Sequence, residues 1–185
     1  IYNFPKSSLY LNFIKVIFNH TNHVLCLSSQ SAAEIGKIIK DKNKVSVFTS
    51  WVNLKIFHPF NKIESKKKLG WEKQFVVLFV GRLVPEKGVM ELLKAGKLFK
   101  KEISLKIAGS GLLESKVGKY YIGKISQNDL PVYYSAADVV IEPSTHDEGF
   151  GRVVVESLSC GTPVIGSNRG AIPEIELKVE IEKLY

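Results

Sequence analysis

The strongest constraint on the fold of this chain is an uninterrupted apolar run, Phe75-Val-Val-Leu-Phe-Val80. A strand without polar alternation must be covered on both faces, which is typical of a parallel strand inside an α/β sheet. The segment from Val89 to Phe99 then carries apolar residues at helical spacing, so strand, loop and helix are predicted in that order. Because ligands of open α/β sheets bind beyond the carboxyl ends of strands, the loop at 81–88 is a candidate site.

Two cations lie in this loop, Arg82 and Lys87. At the end of a parallel strand they can neutralise a diphosphate, and the guanidinium of arginine binds phosphate oxygens in bidentate fashion. The alternative is an ordinary pair of solvated basic side chains.

A second pattern places two carboxylates, Glu148 and Glu156, around a Gly-Phe-Gly turn and a short apolar helix. The turn follows the predicted strand Val139–Glu142. Glycine lets the backbone approach a ligand closely, and the first amides of a helix have no intrahelical partner, so an anion such as phosphate can bind there. Glu156, inside the helix, is a natural acceptor for ribose hydroxyls.

Two other interpretations of these carboxylates stay open. Glu148 can be a helix N-terminal charge favoured by the dipole, while Glu156 pairs with Arg152 one turn earlier. A pair of hydrolase-type carboxylates is the other possibility, but a shared helix start and the basic loop argue against it.

Taken in order, the motifs resemble those of the retaining GT-B glycosyltransferases of group 1, family 4, which use nucleotide sugars. The matching segments are Gly81-Arg-Leu-Val-Pro-Glu-Lys-Gly88, Leu105-Lys-Ile-Ala-Gly-Ser-Gly111, Asp129-Leu-Pro-Val-Tyr-Tyr-Ser-Ala-Ala-Asp138, Pro143-Ser144, Glu148-Gly-Phe-Gly-Arg-Val-Val-Val-Glu156 and the glycine-rich 160–174 segment. Any one of these motifs is weak, whereas the ordered set is specific.

The resemblance implies a role for each matching residue. Arg82 and Lys87, after Gly81, would bind the donor diphosphate, Glu156 would hold the ribose, and Glu148 would lie near the donor sugar. Arg82, Lys87 and Glu148 are therefore the candidate catalytic residues. The remaining donor-binding candidates are the backbone groups of Gly149, Phe150 and Gly151, and those around the base at Gly123, Lys124 and Ile125. No metal or other cofactor is implied.

The predicted fold is a Rossmann-like α/β domain, a parallel sheet with helices on both faces, as in the C-terminal half of a GT-B protein. The predicted strands are Phe75–Val80, Leu105–Ala108, Tyr120–Gly123, Val139–Glu142 and Val164–Gly166. Residues 1–60 resemble the tail of the N-terminal domain and the interdomain passage, and residues 61–185 the donor-binding domain, incomplete at its end. Three segments depart from the family pattern: Ser50-Trp51 replaces Asn-Gly, 111–122 is too short for the usual long helix, and 174–185 replaces the closing elements, as a strand or a helix.

Charge is unevenly distributed along the chain. The stretch 37–106 contains 17 of the 26 basic residues but 6 of the 18 acidic ones. Such a surface attracts phosphates and anionic membranes, so a lipid-linked acceptor and peripheral membrane contact fit. A solvated helix followed by a buried Trp71 is the favoured interpretation of the lysine-rich part at 62–73. Nucleic acid binding is not expected, because no nucleic-acid-reading motif accompanies the charge.

Cysteine and histidine suggest no metal or disulfide chemistry. Cys26 and Cys160 are predicted to be buried thiols, which fits a reducing, cytoplasmic location. The four histidines lack metal-ligand spacing, and His146 alone lies near the Glu148 turn.

The predicted function is transfer of a sugar from a nucleotide diphosphate to the hydroxyl of an acceptor glycan or lipid-linked glycan, with retention. This chain would carry the donor site and by itself would be inactive. The alternatives are a sugar-nucleotide epimerase of the same fold and a non-catalytic nucleotide-sugar binding module.

Overall fold

A computed structural model describes residues 8–48 and 52–175 of the chain. The strands of these residues are all parallel to their partners, and short 3-10 turns join some of the elements. The strands are β1 (Val24–Cys26), β2 (Val45–Val47), β3 (Phe75–Arg82), β4 (Ile103–Ser110), β5 (Val139–Glu142) and β6 (Val164–Gly166). The helices are α1 (Ser8–His20), α2 (Ser29–Gly36), α3 (Lys62–Leu69), α4 (Val89–Gly96), α5 (Glu114–Val117), α6 (Leu130–Ala136) and α7 (Arg152–Ser159).

The main sheet has four parallel strands in the order β4-β3-β5-β6. β3 pairs with β4 along its whole length and with β5 on its other edge, in the register Leu78 to Val140. The chain therefore moves from β3 to β4 in one direction and then returns past β3 to β5. This reversal places the topological switch point, where α/β sheets form their ligand crevice, between β3 and β5.

Each face of the sheet has its own apolar core, as the uniformly apolar β3 predicts. Val76 and Leu78 point into a core formed with α6 and Trp71. Val77 and Phe79 point to the opposite face, where α4 packs on them. Helices thus cover both faces, which confirms the predicted Rossmann-like α/β architecture.

The first two strands form a separate parallel sheet, β1-β2, on which α2 packs. This separation is compatible with a domain division near residue 60, which stays a prediction. Ser50 and Trp51 lie outside the described residues, as does most of the segment 174–185.

One predicted strand is wrong. Instead of a strand at Tyr120–Gly123, the chain has a 3-10 turn at Gly118–Tyr120 and one isolated bridge from Tyr121 to Ile107. Gly118 and Gly123, at φ 57° and 90°, turn the backbone on either side of this short extended stretch. The helix predicted over Val89–Phe99 ends earlier, at Gly96.

Other expectations are confirmed. The segment 111–122 has room for no more than the four-residue α5 and the 3-10 turn. Trp71 is 5% exposed after the exposed α3, and the thiols of Cys26 and Cys160 are free and buried. Among the residues described, no helix is long and apolar enough to cross a bilayer.

Candidate functional site

Two loops meet at the carboxyl ends of β3 and β5. Gly88, at φ 67°, has no room for a side chain, since a Cβ there would lie 2.0 Å from the carbonyl oxygen of Pro143. The carbonyl of Glu86 accepts hydrogen bonds from the amide of Thr145 at 2.9 Å and contacts Nδ1 of His146 at 3.0 Å. These bonds hold the predicted diphosphate loop against the loop that carries Glu148.

Four side chains converge where the loops meet, and we call them the switch-point cluster: Lys87, Glu142, Ser144 and Glu148. Nζ of Lys87 lies 2.7 Å from Oε1 of Glu148 and 3.3 Å from Oε1 of Glu142. Oγ of Ser144 lies 2.6 Å from the same Glu142 oxygen and 2.5 Å from the same Glu148 oxygen. Two of the three predicted catalytic residues are therefore in direct contact.

The two carboxyl groups of this cluster have opposite electrostatic environments. Burial raises the pKa of Glu142, and the charge and hydrogen bond of Lys87 and the hydroxyl of Ser144 offset this only in part. Burial would also raise the pKa of Glu148, but hydrogen bonds from Lys87 and Ser144 and the lysine charge outweigh it and lower that pKa below its ordinary value. Glu142 is 1% exposed, so its carboxyl is removed from solvent.

A second group, the Glu156 cluster, consists of Tyr134, Arg152 and Glu156. The hydroxyl of Tyr134 donates to Oε2 of Glu156 at 2.9 Å, and Nη2 of Arg152 donates to Oε1 at 2.9 Å. Burial, together with the charge of Glu156, raises the pKa of Tyr134 well above its ordinary value, so the phenol keeps its proton. The ion pair of Glu156 with Arg152, the alternative to ribose binding, is present. Arg152 covers the carboxylate that is predicted to hold ribose.

The start of α7 leaves backbone amides available near both clusters. Gly151, at φ 60°, precedes the helix and offers no side chain to cap it. Phe150, Arg152 and Glu156 line an open cavity of about 410 Å³, whose other wall includes Asn53 and Gln127. The turn at 149–151, the carboxylate of Glu156 and the cavity thus lie along the first turns of α7. Binding of an anion by the amides of this turn stays a prediction.

The remaining predicted site residues lie around these clusters. Arg82 is exposed at the end of β3 and has no side-chain partner among residues 8–48 and 52–175, while Gly81 pairs with Gly109 of β4. The carbonyl of Gly123 accepts from the amide of Gly109 at 3.0 Å. Lys124 is exposed, and Ile125 packs against the core beneath α6. Arg82 is therefore free to contact a ligand, whereas Lys87 is already paired.

Residues from the first part of the chain also reach this edge. The carboxylate of Glu174 accepts from the backbone amides of Ser29 at 2.9 Å and Gln30 at 3.3 Å, at the start of α2. Nε2 of Gln30 lies 3.5 Å from Oδ2 of Asp147. The start of α2 thus lies across the loop that carries Glu148.

Sequence reasoning did not identify Glu142 or Tyr134 as members of the site. A usable signal for Glu142 was its position, since it is a carboxylate that directly ends an otherwise apolar strand. Nothing local distinguishes Tyr134 from the other aromatic residues of α6. Within the described ranges, no three histidine, cysteine or acidic side chains gather as metal ligands.

Residues 61–180 match the family of glycosyl transferases of group 1. A D-inositol 3-phosphate glycosyltransferase from Thermobispora bispora is 31% identical over 153 residues, covering 70% of this chain and 36% of that protein. An O-antigen chain mannosyltransferase B from Escherichia coli is 30% identical over 128 residues, covering 60% of this chain and 32% of that protein. The chain thus spans about a third of the length of these curated relatives.

Solved structures share the fold over most of the chain. A sucrose-phosphate synthase from Thermosynechococcus elongatus superposes with a TM-score of 0.76 at 28% identity, over 90% of this chain and 45% of that one. HepE from Anabaena, crystallised in complex with UDP and glucose, superposes with a TM-score of 0.76 at 22% identity, over 91% of this chain and 51% of that one. The latter likeness concerns the fold alone.

Proposed function

Because the chain belongs to the group 1 glycosyl transferases, we propose that it is the donor-binding part of an enzyme that transfers a sugar from a nucleotide diphosphate. In that reaction the bond from the anomeric carbon to the diphosphate oxygen breaks, and a bond to an acceptor hydroxyl forms with retained configuration. The hydroxyl proton leaves with the diphosphate. One observation carries the proposal: Lys87 and Glu148 lie 2.7 Å apart at the switch point between β3 and β5.

The charges of the site support this assignment. Negative charge develops on the diphosphate as it leaves, so fixed cations and dipoles must stabilise it. Arg82 extends freely from β3, Lys87 is held by the loops, and the amides of 149–151 lie at the start of α7. We assign these groups to one anion site beside Glu148, and we assign Glu148 to the donor sugar.

The Glu156 cluster supports a ribose site next to the diphosphate. Tyr134 occupies one carboxylate oxygen from the buried side and Arg152 covers the other from the exposed side. Ribose hydroxyls would compete with the exposed Arg152 side chain and leave the Tyr134 bond in place. The base would then lie toward Gly123–Ile125.

The assignment of an acceptor rests on the chemistry of the transfer reaction, which requires an acceptor hydroxyl. We extend the proposal to an acceptor glycan or lipid-linked glycan held by residues outside this chain, in the cytoplasm with peripheral membrane contact. Lys67 and Lys68 of α3 are exposed and available to an anionic surface.

Calorimetric titration of this chain with UDP, GDP and ADP, and with their sugar conjugates, tests the donor site. UDP is the first probe, because the HepE structure was solved with UDP. We expect one of the nucleoside diphosphates to bind. Arg82→Ala should reduce the affinity for this diphosphate more than the affinity for the corresponding nucleoside. Lys100→Ala is the control, since this exposed lysine precedes β4 at the amino ends of the strands, away from the candidate site. Absence of binding by every nucleotide to the folded chain would contradict the proposal.

A further inference from the structure

One hydroxyl in the switch-point cluster contacts two carboxyl oxygens. Oγ of Ser144 lies 2.6 Å from Glu142 and 2.5 Å from Glu148, distances typical of hydrogen bonds to a charged oxygen. A serine hydroxyl has one proton to donate, so it can donate to one of these oxygens at a time. If both carboxyl groups were ionised, one of these short contacts would join two oxygens with no hydrogen between them.

The charges around the pair also favour a proton. Lys87 is the one cation of the described chain that contacts both carboxyl groups, at 3.3 Å and 2.7 Å. Like charges that share a site cannot both ionise cheaply when one of them is buried. The ionisable groups that face the pair are Lys87 from the loop after β3, His146 from the loop after β5, Tyr134 from α6 and, beyond Tyr134, Glu156 from α7 and Cys160 after it.

None of these neighbours supplies a second positive charge to Glu142. Tyr134 is neutral because burial raises its pKa, and burial and the charge of Glu156 raise that of Cys160 to about 12. Nε2 of His146 lies 3.8 Å from Glu148, while its Nδ1 contacts the carbonyl of Glu86. A histidine charge would therefore act on Glu148, the more exposed of the two carboxyl groups.

We propose that Glu142 is protonated at neutral pH and that its O–H group donates a hydrogen bond to Oγ of Ser144. The hydroxyl of Ser144 in turn donates a hydrogen bond to an ionised Glu148. Glu142 is then a positioning residue: it orients Ser144 and leaves Lys87 with a single anion to neutralise. The raised pKa of Glu142 and the lowered pKa of Glu148 agree with this order of donors and acceptors.

This arrangement has a consequence for ligand binding that rests on the proposed function. With Glu142 protonated, the acid, the carboxylate and the ammonium of Lys87 have no net charge, and Lys87 can turn to a diphosphate. When Glu142 loses its proton to solvent at higher pH, a second anion competes for Lys87 and repels the ligand. Nucleotide affinity should therefore fall as pH rises through the titration of Glu142.

Thermal unfolding across a pH series tests the proton without any ligand. A carboxyl group whose pKa is raised in the folded state stabilises the protein below its unfolded pKa, and this contribution is lost as pH rises through the folded pKa. Glu142→Gln mimics the protonated acid, so its Tm relative to the unaltered chain should rise with pH, whereas the exposed Glu91→Gln should show no such trend. A variant that instead loses Tm relative to the unaltered chain from acid to neutral pH would overturn the proposal.

Infrared spectroscopy of the unaltered chain decides the question even if Glu142→Gln does not fold. At neutral pH a carbonyl band of a protonated carboxyl should persist, and it should be absent from folded Glu142→Gln. Absence of that band in the unaltered chain at neutral pH would overturn the proposal.

Nucleotide binding then tests the consequence. For whichever of UDP, GDP and ADP binds, we expect Kd to rise by about tenfold across the titration of Glu142, as expected for like charges sharing a site, and to stay constant in Glu142→Gln. An equal pH dependence in both proteins would contradict the positioning role. If no nucleotide binds at any pH, the proposed function fails, while the unfolding and infrared results still locate the proton.

Discussion

Lysine and carboxyl side chains meet at both ends of the β3–β5 pair, but the ratio of cations to carboxyl groups is opposite at the two ends. At the amino end, Asp138 accepts from Lys62 at 2.8 Å, Lys66 at 2.6 Å and the backbone amide of Val76 at 2.8 Å. At the carboxyl end, the single Lys87 faces Glu142 and Glu148. One anion with two cations thus lies at one end, and two carboxyl groups with one cation at the other.

From this difference we infer that the amino-end cluster is structural and that the switch-point cluster is the candidate site. Hydrogen bonds from Lys62 and Lys66 lower the pKa of Asp138 although burial would raise it, so this carboxylate is satisfied without a ligand. At the switch point, burial raises the pKa of Glu142, and the cation is shared. A perturbed group in a crevice at the carboxyl ends of strands is typical of a ligand-binding site.

Lys87→Ala should have the largest effect on this contrast. It removes the cation of the switch-point cluster, and we expect loss of about 2–5 kcal/mol of diphosphate binding, as when one partner of a buried charge pair is truncated. Calorimetric titration with UDP and with uridine distinguishes the contribution of the diphosphate to affinity from that of the nucleoside. Equal losses for the two ligands would contradict the assigned role of Lys87, and Lys100→Ala provides the control.

Asp138→Ala breaks the amino-end cluster instead. It leaves Lys66, whose side chain is 13% exposed, and the amide of Val76 without their acceptor. The free energy of unfolding should fall by about 3 kcal/mol, as expected when one partner of a buried ion pair is removed. Denaturant unfolding measures this, and nucleotide affinity of the folded protein should not change. A loss of affinity with unchanged stability would reverse our assignment of the two ends.

Glu156→Ala sharpens the comparison within the site. Removing the carboxylate should weaken nucleotide binding by about 1.5–3 kcal/mol through lost hydrogen bonds from ribose. Removing a ribose hydroxyl from the nucleotide should therefore cost less affinity in this variant than in the unaltered chain. Unchanged affinity for every nucleotide would refute the ribose assignment and leave the Arg152 pair as the role of Glu156.

The pH dependence of Asp138→Asn should be the smallest effect and opposite in sign to that of Glu142→Gln. Because the folded-state pKa of Asp138 is lowered, its contribution is present above the unfolded pKa and is lost as pH falls through the folded value. The Tm deficit of Asp138→Asn should therefore be full at neutral pH and shrink in acid. A deficit that grows in acid would show that Asp138 is not held ionised by its lysines.

Local pattern predicted the fold well where burial and motif agreed. The apolar β3 occurs where it was predicted, because a strand covered on both faces leaves a continuous apolar signal. The short β6 lies at its predicted residues although Ile165 is exposed, and α4 begins at Val89 as predicted. The Tyr120–Gly123 segment misled the same reasoning, since its aromatic and apolar residues suit a strand. Glycines at both ends, Gly118 and Gly123, instead limit it to a short extended stretch that hydrogen-bonds to Ile107 and Gly109 of β4 without forming a strand.

The site divides in the same way. Arg82, Lys87, Glu148 and Glu156 were identified because each lies in a short motif that carries its own chemistry. Glu142 and Tyr134 were not, because their roles depend on partners distant along the chain: Lys87 is 55 residues from Glu142, and Glu156 is 22 residues from Tyr134.

The sequence by itself determined the apolar strand β3 and the loops that carry the cations, carboxylates and glycines of the candidate site, since these properties depend on neighbouring residues. The tertiary structure alone decided that one lysine serves two carboxyl groups while another carboxylate holds two lysines. The physical reason is the strand order β4-β3-β5-β6: it brings the ends of β3 and β5 together from distant parts of the chain, and burial together with the lysine contacts there shifts the pKa of each carboxyl group.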